Sequence, residues 1–154
     1  MVAGRLADFL SGCDLTGFNL ERFRIGNPDL EIKGRKIAFG IDSFEDYKMW
    51  YEEDFVKLAD KLYEKKIFDY IYLICGKEKS YLADNIIKIS NKNYFINCSS
   101  KNLNGIIFAL KNSNFLVGNN SGPINLAAAL GVKSFGLIAN DPVDELQFSK
   151  IQII

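Results

Sequence analysis

The sequence predicts an α/β fold, a Rossmann-like parallel sheet of about five strands with helices on both faces. Short apolar segments alternate with amphipathic segments along the 154 residues, the pattern of strands separated by single helices. The apolar segments are continuously hydrophobic, as in strands that are covered on both sides. This alternation favours parallel strands joined by right-handed crossovers.

The elements follow one another in a regular order. Strands are predicted at residues 36–41, 70–75, 94–98, 115–117 and 134–139, and helices at 52–66, 80–90 and 121–130. A further helix carries Leu103 and Leu110, and Ser99 or Ser100 is expected to cap it. Trp50 is expected in the core. The turn at 76–80, which contains Lys77 and Lys79, is expected to be solvated.

The length suits one domain with a single core. Residues 1–34 contain the turn signal Gly26-Asn27-Pro28 and are expected to form a lead-in segment that packs on the domain. Residues 35–154 are expected to form the Rossmann-like domain itself.

Composition excludes several classes of function. Nineteen basic and nineteen acidic residues cancel, which argues against a general nucleic-acid-binding protein. No apolar run approaches the ~20 residues of a membrane span, and the N-terminus lacks the apolar core of a secretory signal. The chain has no histidine, the commonest general base and metal ligand. Cys13, Cys75 and Cys98 form no CxxC pair, which argues against zinc and fits a reducing cytoplasm.

A candidate anion site lies in residues 114–131, NFLVGNNSGPINLAAALG. The segment has the pattern of a strand, a turn of small and polar residues, and a helix. An asparagine or serine precedes Pro123 at the predicted helix start, and Gly131 follows its end. Backbone N–H groups and the positive end of the helix dipole would meet in this turn, and phosphate is the anion that suits them. Many α/β connections share the pattern and bind nothing.

The same segment resembles a family signature. GNNSGPINLAAALGV is similar to the G-[ND]-D-[ST]-G-P-x-H-x-A-A-A-x-G signature of glycosyltransferase family 9, which includes the bacterial lipopolysaccharide heptosyltransferases. Two positions depart from it. Asn120 stands where the family usually has aspartate, and Asn125 where it usually has histidine. Both substitutions keep a hydrogen-bonding side chain and remove an ionisable group.

The resemblance implies a set of site residues. Lys48 and Trp50 align with a lysine and a tryptophan in the family's loop after the first strand of this half. Lys48 would then reach the diphosphate of a sugar nucleotide, together with Asn119, Asn120, Ser121 and Gly122. A second set would lie near the nucleotide: Ser99, Asn125 and Asp141. Ser99 serves equally well as a helix cap, and the Asp141-Pro142 pair is also explained by the stop function of proline.

The implied function is that of the C-terminal, donor-binding half of a GT-B glycosyltransferase. Such enzymes transfer a sugar from a nucleoside diphosphate with inversion, here in lipopolysaccharide biosynthesis, and need no metal or other cofactor. Basic side chains and backbone dipoles must then offset the diphosphate charge. The family's acceptor half and its base precede this half, and only about 35 residues precede the first strand, against ~100 or more in a typical domain. No catalytic residue is therefore assigned, and activity by the chain alone is left open.

Other interpretations stay open. The chain could be a non-catalytic binding or structural module of the same fold, which Asn120 and Asn125 favour. It could be an unrelated nucleotide-binding domain, although no GxGxxG follows the first strand. The expected partners are a nucleotide sugar and either a separate acceptor-binding domain or further copies of the chain. The expected location is the cytoplasm, with a peripheral position at the inner membrane as an extension of it.

Overall fold

The computed structural model describes residues 30–137 and 151–153. Within these residues, six strands follow in chain order: β1 (Lys36–Gly40), β2 (Tyr70–Ile74), β3 (Phe95–Asn97), β4 (Leu116–Asn119), β5 (Ser134–Leu137) and β6 (Ile151–Ile153). The four helices of the same two described segments are α1 (Glu52–Glu64), α2 (Ser80–Ser90), α3 (Leu103–Lys111) and α4 (Gly122–Ala129). Two short 3-10 turns, Asp46–Lys48 and Lys77–Lys79, follow β1 and β2.

The strands form one parallel sheet in the order β3-β2-β1-β4-β5-β6. The chain builds outwards from β1 to β3, returns to the other side of β1 at β4, and then continues outwards to β6. The order therefore reverses between β1 and β4. In open α/β sheets, a crevice for ligands forms outside the carboxyl ends of the strands at this point.

Two hydrophobic clusters cover the two faces of the sheet. Alternate side chains of β1 and β2 point to opposite faces, since the period of a strand is two residues. Ile37 and Phe39 pack with α1 and α2, whereas Ala38 packs with α3 and α4. Tyr72 is fully buried on the second face, and its hydroxyl donates to the Leu30 carbonyl at 2.8 Å. Helices on both faces are thus confirmed.

Two glycines allow β1 and β4 to lie unusually close at the crevice. Gly40 and Gly118 are partners in the register of the two strands. A Cβ on Gly118 would lie 2.8 Å from the Gly40 carbonyl oxygen and 2.9 Å from its Cα. These contacts are with backbone, which cannot rotate away, so residue 118 must lack a side chain.

The structure confirms the Rossmann-like parallel sheet and corrects two details. A sixth strand, β6, extends the sheet beyond the five predicted strands; it is a three-residue edge strand in which only Ile151 is buried, too short for periodicity to identify. Asn102, not Ser99 or Ser100, caps α3, and its side chain accepts from the Gly105 N–H at 3.0 Å. β4 ends at Asn119, which places Asn119 in the sheet instead of in the turn.

Some expectations fall on residues that the structure does not describe. The lead-in at residues 1–34 is described only from Leu30 onwards, and the end of the fifth predicted strand and Asp141 lie outside the described residues. Among the helices of the described segments, none has the length and apolarity to cross a membrane.

Candidate functional site

The candidate site lies between the segments that follow β1 and β4, and we call this place the crevice. We call residues 41–51 the β1 loop and residues 120–122 the β4 turn. The β1 loop contacts the last residue of β4, because the Trp50 N–H donates to the Asn119 side-chain oxygen at 3.0 Å. The Ser43 hydroxyl also donates to the Asn120 carbonyl, at 3.3 Å. The structure therefore brings the Lys48 segment and the predicted anion turn together at one rim of the sheet.

The β4 turn leads into a helix start with open backbone. Ser121 occupies the N-cap position of α4 in an extended conformation, and Pro123 lies in the first turn. The first bond within the helix runs from the Asn125 N–H to the Ser121 carbonyl, so the amides of Gly122 and Ile124 precede the helical bonding pattern. Gly122 is exposed, and a Cβ on it would meet nothing within 4 Å. An anion can therefore approach this backbone closely.

The side chains of the β4 turn are oriented by local hydrogen bonds. The Ser121 hydroxyl donates to the Asn119 carbonyl at 3.3 Å and makes no capping bond. The Asn125 amide donates to the Ser121 carbonyl at 3.0 Å from an exposed position. Neither bond occupies the amides at the start of the helix.

Asn119 connects the two segments from inside the sheet. Its side chain is 0% exposed. Its amide nitrogen donates to the Ile41 carbonyl at 3.0 Å, and its oxygen accepts from the Trp50 N–H at the same distance. A buried polar side chain with both ends bonded fixes the groups around it. Asn119 thus holds both ends of the β1 loop. Direct contact of this side chain with a diphosphate stays a prediction and would require one of these bonds to break.

Lys48 lies on the β1 loop and pairs with a carboxylate of the same loop. It ends the 3-10 turn Asp46–Lys48. Its ammonium lies 2.6 Å from the Glu45 carboxylate and 5.6 Å from the centre of the Tyr47 ring, and the side chain is 19% exposed. Partial burial and the ring contact hold the ammonium near the loop. They matter because an ion pair that is open to solvent contributes little to stability. An incoming diphosphate would compete with Glu45 for this cation.

A third loop, after β2, supports the β1 loop through Lys79, which the sequence pattern does not predict. Lys79 was expected in a solvated turn, but its side chain is only 24% exposed. The Asp46 carboxylate raises the pKa of Lys79. Asp42 accepts from the Gly76 N–H at 2.6 Å. The only available signal was the position of GKEKS at the carboxyl end of a strand beside β1.

The remaining predicted residues are placed as follows. Ser99 is buried after β3, and its N–H donates to the Asn97 side chain at 2.9 Å. Its place near a nucleotide stays a prediction, as does that of Asn125. Contact of Asn120 with the diphosphate stays a prediction as well. Trp50 is not in the core: it is 38% exposed, and its ring meets Phe55 edge-on. Within the described part of the chain, no three acidic or cysteine side chains converge as a metal site.

Comparisons with known proteins agree with this fold. The sequence model of glycosyltransferase family 9 (heptosyltransferase) matches residues 18–147. The fold is similar to E. coli ADP-heptose lipopolysaccharide heptosyltransferase II, with a TM-score of 0.71 and 19% identity over 87% of this chain. E. coli heptosyltransferase WaaC with ADP gives a TM-score of 0.69 and 20% identity over 78% of this chain. A family 9 glycosyltransferase of Veillonella parvula gives a TM-score of 0.69 and 18% identity over 87% of this chain.

The chain spans only part of these structures, 40%, 37% and 39% of their lengths. A comparison with curated protein sequences finds no match. The family model nevertheless covers most of the chain. The chain belongs to glycosyltransferase family 9, the heptosyltransferase family.

Proposed function

We propose that the crevice binds the diphosphate of a nucleoside-diphosphate sugar and that the chain is the donor-binding half of a heptosyltransferase-like glycosyltransferase. One observation carries the proposal. The β4 turn, with the first amides of α4, and the β1 loop, with Lys48, meet at the point where the strand order reverses. Ligands of open α/β sheets bind at this position.

Each group has a defined role in the proposal. The amide of Gly122 would donate to a diphosphate oxygen, because Gly122 is exposed and its amide lacks a partner within the helix. The Lys48 ammonium would supply positive charge from the opposite side of the crevice. Asn119 would keep the two segments at a fixed separation. Preorganised donors of this kind stabilise phosphate charge without a metal ion.

The proposed reaction is transfer of a sugar from its nucleoside diphosphate, in lipopolysaccharide biosynthesis in the cytoplasm. One solved relative, E. coli WaaC, carries ADP and another structure of it carries ADP-2-deoxy-2-fluoro heptose, so ADP is the natural first probe. The acceptor-binding half, on the same or another polypeptide, would face the β1 loop. This loop exposes aromatic side chains to such a partner: Phe44 is 99% exposed, and Tyr47 and Tyr51 are also exposed.

A second candidate is a non-catalytic binding or structural module of the same fold. Asn120 and Asn125 favour it, because the family's usual aspartate and histidine are ionisable and these amides are not. Such a module would keep the α/β scaffold and bind no nucleotide.

Titration of the full chain with ADP, ADP-sugars and UDP-sugars tests the two candidates. The single tryptophan, Trp50, lies at the end of the β1 loop, so its fluorescence reports on the crevice, and calorimetry gives the dissociation constant independently. We expect saturable binding of at least one of these ligands. No binding of any of them at millimolar concentration would exclude the donor-site proposal and support the second candidate.

Two lysine variants make the test specific. Lys48→Ala should weaken ADP binding about tenfold, since a charge-assisted hydrogen bond to phosphate is lost. Lys57→Ala is the matched control: Lys57 pairs with Asp54 at 2.8 Å with the same i,i+3 spacing, but on α1. It should bind ADP as the wild type does. Equal losses in both variants would contradict the assignment of Lys48.

A further inference from the structure

The β1 loop and the turn after β2 are joined by contacts in both directions. Asp42, in the β1 loop, accepts from the Gly76 N–H at 2.6 Å. Lys79 reaches back and donates to the Ser43 carbonyl at 2.9 Å and to the Asp46 carboxylate at 2.7 Å. Its ammonium also lies 3.7 Å from the Met49 sulfur. One side chain therefore contacts the beginning, the middle and the end of the β1 loop.

This arrangement matters because the β1 loop has little structure of its own. Its only regular element is the 3-10 turn Asp46–Lys48, whose N-cap residue makes no side-chain capping bond. Short 3-10 turns are marginal by themselves. The two ends of the loop are fixed by Asn119 through Ile41 and Trp50. Between these ends, Lys79 bonds the loop at Ser43 and at Asp46, two residues before Lys48.

We propose that Lys79 is a positioning residue for diphosphate binding: it holds the β1 loop in the conformation that presents Lys48 to the crevice. The inference rests on the proposed function of this crevice. Lys79 acts through the loop, by bonding a backbone carbonyl and a carboxylate next to Lys48, and it does not contact the ligand. The ammonium is suited to the task because it has three donors and can bond several acceptors at once.

The first experiment measures the loop without ligand. Iodide quenching of Trp50 fluorescence should increase about twofold in Lys79→Met, because release of the β1 loop exposes more of the indole ring. Lys77→Met is the control: Lys77 lies in the same 3-10 turn, is exposed, and loses the same charge. It should quench as the wild type does. Unchanged quenching in Lys79→Met would overturn the proposal.

The second experiment measures ADP and adenosine binding by calorimetry. Lys79→Met should weaken ADP binding about fivefold, with adenosine binding unchanged, because only the phosphates depend on Lys48. Lys79→Arg, which keeps a charged donor, should restore part of the loss. Asp46→Asn should weaken ADP binding similarly, and the double variant should show no further loss, because both changes remove the same contact.

The outcomes separate this inference from the proposed function. If the wild type binds ADP and Lys79→Met binds it equally well, the positioning role fails and the diphosphate site stands. An equal loss for adenosine and ADP would indicate a general structural defect and would also overturn the positioning role. If the wild type binds no nucleotide, both proposals fail. Should Lys79→Met not fold, Asp46→Asn with the Lys77→Met control gives the same decision.

Discussion

The two sides of the crevice are built in different ways. The β4 turn follows directly from a strand and leads directly into a helix, so the sheet and α4 fix its backbone. The β1 loop spans eleven residues, 41–51, between β1 and α1, and side chains from neighbouring segments hold it: Asn119 at its ends and Lys79 at its centre. One side is fixed by covalent continuity with regular structure and the other by polar contacts across the sheet edge.

Rigidity and charge are divided between the two sides of the crevice. The β4 turn offers backbone amides, which carry no net charge and need no reorganisation. The β1 loop offers Lys48, whose charge is offset by Glu45 at 2.6 Å. Changes in the β4 side should therefore affect mainly folding stability, and changes in the β1 loop mainly ligand affinity.

The largest expected effect comes from adding a side chain where the backbones of β1 and β4 lie close together. Gly118→Ala should lower the free energy of unfolding by about 3 kcal/mol, because the new methyl would overlap the Gly40 backbone. Gly122→Ala is the control on the β4 turn, where a Cβ meets nothing within 4 Å, and should change stability by less than about 0.5 kcal/mol. Urea unfolding measures both. Equal free energies of unfolding for the two variants would contradict this expectation, because they would mean that β1 and β4 accommodate the methyl group at no cost.

A smaller loss is expected from Asn119→Ala, about 2 kcal/mol in the same assay. The substitution leaves the Ile41 carbonyl and the Trp50 N–H without their partner in a buried place. Asn125→Ala removes an exposed hydrogen bond of the same side-chain type on α4. There the higher helix propensity of alanine offsets the lost bond, so stability should hardly change. A neutral Asn119→Ala would contradict the connecting role.

Removing the carboxylate beside Lys48 should change the affinity for ADP and leave the folding stability almost unchanged. Glu45→Gln should strengthen ADP binding about threefold, because the diphosphate no longer competes with an anion for the ammonium. Stability should change by less than about 0.5 kcal/mol, because the Glu45 side chain is 42% exposed and such ion pairs contribute little. Asp54→Asn, which removes the equivalent partner of Lys57, should leave the dissociation constant unchanged. A weakened affinity in Glu45→Gln would mean that Glu45 itself assists binding.

The smallest effect is a change in thiol reactivity next to the β1 loop. Burial, with a contribution from the Asp42 carboxylate, raises the pKa of Cys75 to about 12. Alkylation needs the thiolate, so the rate below this pKa should be slow and rise about tenfold per pH unit. Asp42→Asn removes the negative charge, lowers the pKa, and should speed alkylation a few-fold at a given pH.

Cys98 is the internal control for that measurement. Burial raises its pKa to about 12 as well, but Asp42 is not among the causes. Mass spectrometry of the alkylated chain resolves the two sites. If the alkylation of Cys98 is accelerated equally in Asp42→Asn, the substitution has loosened the whole domain, and the explanation by the charge of Asp42 fails.

The fold was predictable because it depends on patterns that are local in sequence. α2 occupies Ser80–Ser90 as predicted, since its buried residues recur at helical spacing and Asn91 ends it in a left-handed conformation. β1 and β2 were correctly placed by their continuous apolar character. β6 was missed because three residues, of which only Ile151 is buried, are too few for an apolar pattern to identify.

The candidate site was predictable only in part. The β4 turn is contiguous, so glycine, serine and proline at the required positions reveal it. The roles of Asn119 and Lys79 depend on contacts across 78 and 36 positions of sequence. No local pattern distinguishes a buried, doubly bonded asparagine from a ligand-binding one, or a bonded lysine from a solvated one.

The sequence alone determined the α/β alternation, the helix start at Ser121 and the resemblance to family 9, because each is written in neighbouring residues. Only the tertiary structure decided which loops meet, that Asn119 is enclosed in the sheet, and that Lys79 supports the loop of Lys48. The physical reason is that a polar side chain can form its hydrogen bonds either with water or with other groups of the protein. Which of the two occurs is set by the neighbours that folding brings to them.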